Sequence, residues 1–182
     1  NNISTLGTGF MSTWDSTVGI ENCLFTGNIS QGSSAVASVS QSTLTAGNCT
    51  FASNPRSEGQ GVLMIDSGSS LSITHSILWD AWPIIESDGT VTADTCDIAG
   101  GYPGSSIMDA DPLFATGPLG AHYLASTAAG QAQTSPCIDI GVAASGVCYA
   151  RRDESYCMNA STTATSHHAD TGLSDLGYHY PI

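Results

Sequence analysis

Four sets of side chains in this 182-residue chain have the chemistry to form a site. The first is acidic. Aligning the chain's repeats brings Asp66 beside Glu86, with Asp88 close by. Two carboxyls about 5 Å apart would match a retaining glycosidase pair. The same oxygens would suit calcium, which takes several oxygen ligands; an acidic solvated face would also account for them. The second set is aromatic. Trp79 falls on an outward strand position and Trp82 in the loop after it, where exposed indoles could stack on sugars or pack under a loop or a neighbouring subunit. Trp14 stands apart, nearer the start. The third set, His167, His168, Asp170 and His179, could gather near the end of the chain, a weak metal signal.

Cysteines form the fourth set. Cys23, Cys49 and Cys96 recur at one position of a repeat, where a free thiol packs as a small hydrophobe. Cys137, Cys148 and Cys157 are the oxidisable remainder. A Cys148–Cys157 bridge is the preferred pairing, with Cys137 as the rival partner.

All of these depend on a repeat that must position them. Residues 17–28, 43–54, 70–81 and 90–101 are copies of one motif. Val18, Leu44, Leu71 and Val91 form one column, and Ile20, Ala46, Ile73 and Ala93 the next. After a corner come Cys23, Cys49, Ser76 and Cys96, then Phe25, Phe51, Leu78 and Ile98. Apolar positions two apart indicate strands with one buried face. Between the strands stand Asn22, Asn48, His75 and Thr95. Asn tolerates left-handed backbone and suits a sharp corner, and stacked amides there could bond to one another. A third strand precedes these two, with Phe10 and Ser12, Val36 and Ser38, Leu63 and Ile65, and Ile85 as its successive copies. Three strands per coil with a short repeat predict an all-β fold, a right-handed parallel β-helix of the pectate-lyase-like kind. The coils are expected over 1–101. Residues 102–182 are expected to form irregular closing coils and a cap, with a surface insertion over 142–165. In the cap, Leu113, Phe114, Leu124, Ile138 and Leu176 are the expected core residues.

Composition narrows the partners. The chain has no lysine, and Arg56, Arg151 and Arg152 face 16 acids, for a net charge of −13. Such a surface repels nucleic acid, anionic membranes and polyanionic sugars. No apolar run is long enough to span a bilayer. The six cysteines and the lysine-free, Ser- and Thr-rich surface predict an extracellular or cell-surface location. The start without methionine reads as a processed chain or an excised piece. Sequons stand at Asn2, Asn28, Asn48 and Asn159.

The C-terminal third carries four further motifs in order: Asp109-Ala-Asp-Pro-Leu-Phe114, His122-Tyr-Leu124, Ser135-Pro-Cys-Ile-Asp-Ile-Gly141 and Asp170 through Pro181. Over residues 109–182 these resemble the closing segment of bacterial secreted or surface right-handed β-helix repeat proteins. The resemblance implies a β-helix whose end these motifs close, and implies little about activity.

The expectation that follows is a non-catalytic structural protein, either the end module of a surface protein or a self-associating, filament-forming subunit. Its partners would be upstream coils or other copies. The alternatives are a carbohydrate-active enzyme using Asp66 and Glu86, and a glycan-binding or adhesive module using Trp79 and Trp82. Lyase chemistry beside a uronate needs a basic residue and cationic clamps, and this chain supplies few. No cofactor is expected, calcium being the one candidate.

Overall fold

The computed structural model describes residues 3–4, 9–30, 34, 36–55, 61–80, 84–141, 148–150 and 155–182. Trp82, the three arginines and much of the expected insertion lie outside these residues. The chain is all-β, and the strands up to residue 108 pair in parallel. β1 (Ile3–Ser4) pairs with β5 (Ile29–Ser30). β2 (Met11–Trp14), β6 (Ala37–Ser40), β9 (Leu63–Ile65) and β12 (Ile85–Ser87) form one sheet in the order β12-β9-β6-β2. A larger curled sheet begins with β3 (Thr17–Glu21), β7 (Thr43–Gly47) and β10 (Ser70–Thr74). It continues through the nine-residue β13 (Thr90–Ile98) into β11 (Ile77–Trp79), β8 (Thr50–Ala52) and β4 (Leu24–Thr26).

The large sheet has the register that the repeat predicts. Val18, Leu44, Leu71 and Val91 are successive partners, as are Ile20, Ala46, Ile73 and Ala93. Phe25, Phe51, Leu78 and Ile98 follow suit. These columns belong to one buried apolar cluster. Phe25 and Phe51 stack at 4.7 Å between ring centroids, and Phe10 meets Phe25 edge-on at 5.1 Å.

The smaller sheet corrects the expected register by one residue. Leu63 and Ile65 pair with Ala37 and Val39, not with Val36 and Ser38. Met11 and Thr13 are the next partners, which turns Phe10 outward to 52% exposure. A one-residue slip exchanges the two faces of a strand. Residues 36–39 read Val-Ala-Ser-Val, and all four are buried, so alternation alone cannot choose a parity.

The strands turn at corners that share one device. Asn22, Asn48, His75 and Thr95 have φ between 46° and 51°. The next residue sends its side chain back to the carbonyl two positions earlier. Cys23 donates to Glu21 O, Cys49 to Gly47 O, Ser76 to Thr74 O and Cys96 to Asp94 O. The corner before β3 and β7 repeats it, with Asp15 and Gln41 left-handed and Ser16 and Ser42 donating to Trp14 O and Ser40 O. After β8, Ser53 is left-handed and Asn54 donates to Ala52 O. The same side chains reach to the neighbouring copy of the repeat. Ser42 Oγ accepts from Ser16 N, Ser76 Oγ from Cys49 N, and Asn54 Oδ1 from Asn28 N and Nδ2. Asp80 then takes Asn54 N and Nδ2. A side-chain ladder therefore runs Asn28–Asn54–Asp80, while Asn22 of the expected amide column bonds the backbone of His179.

Parallel pairing runs past the predicted limit at residue 101. β14 (Ser105–Met108) pairs with β13, and Tyr102 and Ile107 pack on the end of the main cluster. The remaining strands are short antiparallel pairs: β15 (Phe114–Gly117) with β16 (Gly120–Leu124), β17 (Cys148–Ala150) with β18 (Ser155–Cys157), and β19 (Ser161–Thr162) with β20 (Tyr180–Pro181). The predicted insertion over 142–165 also ends earlier than expected. Met158, Ser161, Thr162 and Thr163 are buried, drawn in by pairing with the C-terminal strand. Of the expected cap core, Leu124 and Leu176 are buried in a second cluster that Phe114 and Ile138 flank; Leu113 is half-buried.

Two stability predictions follow from this core. Phe51→Ala is expected to lower unfolding free energy by about 3–5 kcal/mol in urea titration; an unchanged midpoint would remove Phe51 from the core. Ser76→Ala strips the buried Cys49 amide of its acceptor and is expected to cost about 1–3 kcal/mol, more than Ser76→Cys, which restores the residue of the other copies.

Candidate functional site

The lateral acidic pair is not assembled as the alignment suggests. Glu86 is the register partner of Met64, while Asp88 N bonds Ile65 O and so brings Asp88 alongside Asp66. Asp66 accepts the Ser40 hydroxyl, and Glu86 Oε2 accepts Gly61 N at 3.1 Å. The shallow cavity they line measures about 90 Å³. Among the described residues no group of three His, Cys, Asp or Glu side chains is placed to hold a metal ion. By register Asp66 stands beside Asp88, two positions beyond Glu86, and all three carboxylates line this one cavity.

Trp79 is not an exposed platform. It is half-buried against the cluster of Ile77, Leu124, Cys137 and Leu176, covered by chain that follows it by up to a hundred residues. Trp14 is 67% exposed on β2.

Cysteine chemistry divides as the repeat implies. Cys148 and Cys157 form the disulfide across the β17–β18 hairpin. Cys23, Cys49, Cys96 and Cys137 are thiols. The neighbouring Cys23 thiol, together with burial, pushes Cys49 far up, and burial raises Cys96 to about 11. Burial and the adjacent Asp97 push Cys137 up as well; its thiol donates to Asp97 Oδ2 at 3.1 Å. Thiols held protonated are hydrogen-bond donors and weak nucleophiles or metal ligands.

The expected histidine gathering resolves into separate contacts. His167 Nε2 meets the Tyr123 hydroxyl at 3.0 Å, and His168 is exposed. His179 is fully buried. Its Nε2 lies 3.0 Å from Asp170 Oδ2 and its Nδ1 3.0 Å from Gly177 O. The ring thus lies between a carboxylate and a backbone carbonyl, both within hydrogen-bond reach. Asp175 completes the cluster. Its amide donates to Asp170 Oδ2, and its carboxylate accepts from Thr163 Oγ1 and Asp139 N. Burial first, then the Asp170 charge, raises Asp175 to about 6. Asp139, His168, Asp170 and Asp175 line one cleft of about 330 Å³.

This cluster anchors a strap that the sequence did not disclose. Leu176 N bonds Cys137 O, Gly177 N bonds His75 O, and Tyr178 N bonds Thr50 Oγ1. His179 N donates to Asn22 Oδ1 at 2.7 Å, and Asn22 Nδ2 donates to His179 O at 2.9 Å. The closing motif therefore does not lie only beyond the fourth repeat. It runs back along the corners of the third, second and first, because those corners present ready donors and acceptors.

The first repeat presents the remaining candidate surface. Among the described residues, β2, β3 and β4 are the terminal strands of their sheets. Met11, Val18 and Ile20 are half-buried there, beside exposed Phe10 and Trp14. No protein-family model matches the chain, and neither a curated protein nor a solved structure matches it.

The sign of the pH dependence follows from Asp175. Its folded value near 6 lies above the ordinary 3.8, so the folded state holds the extra proton between those limits. The stability from this group is full below about pH 4 and is lost as pH rises through 6. Thermal melts of wild type against Asp175→Asn should show the wild type losing ground to the variant between pH 4 and 7; parallel curves would refute the assignment.

Proposed function

We propose that this chain is a non-catalytic structural module, a right-handed parallel β-helix of three strands per turn, which works by edge-to-edge association. Its partner would be further β-structure at the first repeat, either upstream coils of a surface protein or another copy. The observation that carries this reading is the common end of β2, β3 and β4. Terminal strands present backbone groups to whatever lies beside them, and strand addition is a standard mode of recognition. Phe10, at the end of the Phe25–Phe51 ring column, would supply the apolar contact.

The far end differs, because β14 and Tyr102 lie over much of it. That asymmetry favours attachment through one end over an open head-to-tail filament, which needs two complementary ends. The parallel registers support the β-helix, as does the resemblance of residues 109–182 to bacterial β-helix repeat proteins. The disulfide and the lysine-free composition support an extracellular or cell-surface setting.

Sedimentation velocity across a concentration series tests association. The wild type is expected to self-associate, and Trp14→Lys/Thr17→Lys, which charges exposed edge positions, is expected to remain monomeric with an unchanged melt. A wild type that is monomeric throughout would overturn edge pairing between copies.

A further inference from the structure

The corners carry a direction. The residue after each left-handed position turns its amide toward the later copy of the repeat. Ser16 N donates to Ser42 Oγ, and Ser16 O accepts from Thr43 N. Ser42 N donates to Ser69 Oγ, and Ser42 O accepts from Ser70 N. Cys49 meets Ser76 Oγ and Ile77 N in the same way. At the third corner Asn28 N meets Asn54 Oδ1, and Asn54 N meets Asp80 Oδ1. All of these amides point from one copy to a side-chain oxygen of the next. Burial follows the same order. Ser42 and Ser69 are buried, whereas Ser16 is exposed between exposed Trp14 and Thr17.

From this polarity we infer that the first-repeat edge takes a strand–corner–strand segment of the repeat's own kind, parallel and in register, rather than the first repeat of a second copy. The inference rests on the edge association proposed above and names its occupant. Ser16 Oγ and Thr17 N are the counterparts of Ser42 Oγ and Thr43 N, the two groups that receive the first copy. They call for a residue that offers an amide and a carbonyl from one side, as Ser16 and Ser42 do. Spacing sets the order. The corner residues stand at 16, 23 and 28, seven and then five residues apart, and 42, 49 and 54 repeat those intervals. A segment laid antiparallel meets the intervals reversed, so its corners cannot seat together. Two first repeats set edge to edge form such a pair. Ser16 Oγ of each would look toward the other, and the Ser16 amides, which point to Ser42, could reach neither. A copy–copy contact at this edge is therefore the weaker occupant, and a parallel segment of the repeat displaces it.

The test titrates the full chain into a fluorescein-labelled synthetic peptide of residues 37–54, carrying Cys49→Ser to match Ser76 of the third copy. Anisotropy is expected to show saturable binding of this peptide and none of the reversed sequence. In sedimentation velocity the peptide is expected to dissociate the copy–copy complex. An ester in place of the Gln41–Ser42 amide removes the donor meant for Ser16 Oγ, and is expected to weaken binding roughly three- to tenfold. Ser16→Ala should bind the amide and ester peptides alike, an equality that mere loosening of the corner would not produce. Trp14→Lys/Thr17→Lys should bind neither. The inference is overturned by equal binding of the reversed sequence, by an ester as good as the amide on the wild type, or by undiminished binding to Trp14→Lys/Thr17→Lys. A wild type that self-associates yet ignores the peptide also overturns it, and leaves edge association standing. A wild type that neither self-associates nor binds the peptide overturns both.

Discussion

A residue other than glycine in left-handed backbone costs roughly 1–2 kcal/mol, and this chain takes on that cost in register, at Asn22, Asn48, His75 and Thr95 in one column and at Asp15 and Gln41 in another. What offsets it is the side chain that follows, returning to the carbonyl two residues back. Cysteine, serine and asparagine all perform this bond at one corner or another. The exchange of Ser76 for cysteine within one column is thus chemically conservative: each is a short side chain with a donor at the same reach. Where the corner is fixed, the strand on either side has no freedom of register, and the apolar residues two apart fall inward together.

The C-terminal arm uses the by-products of those corners. A sharp turn leaves carbonyls and side-chain oxygens that no strand partner takes, and buried polar groups must be paired. Gly177, Tyr178 and His179 meet such groups at His75, Thr50 and Asn22. His179 is buried against Asp170, and the cost of burying Asp175, added to by the Asp170 charge, appears as a raised proton affinity. The acidic cleft at this place is accounted for by the fastening of the arm.

Legibility followed local regularity. The column of Val18 was readable because β3, β7 and β10 alternate polar and apolar residues, and that of Phe25 because β4, β8 and β11 follow the same left-handed corner at a fixed distance. The smaller sheet was not, since Val36-Ala-Ser-Val39 has no polar face to fix parity. Asn28 and Asn54 were visible as repeated residues, yet Asp80 was hidden. Phe51 pairs with Leu78 at an offset of 27 residues, whereas Asn54 bonds Asp80 at 26, a one-residue shortening at the corner. Trp79 was placed outward by strand parity alone. What covers it is Leu124, Cys137 and Leu176, and no period links those residues to it. His179 likewise could be named but not paired, since its partners are at 22, 170 and 177.

The strap also orders events in time. Its bonds to Thr50 and Asn22 close loops of 128 and 157 residues. Repeats made of local pairings form early, while contacts of such sequence separation form late. On a ribosome the first three repeats can be complete while residues 176–179 are still enclosed. Through that interval the corners at Asn22, Thr50 and His75 stay open to solvent. Emergence of residues 176–179 is therefore the step that converts a set of paired strands into a fastened one.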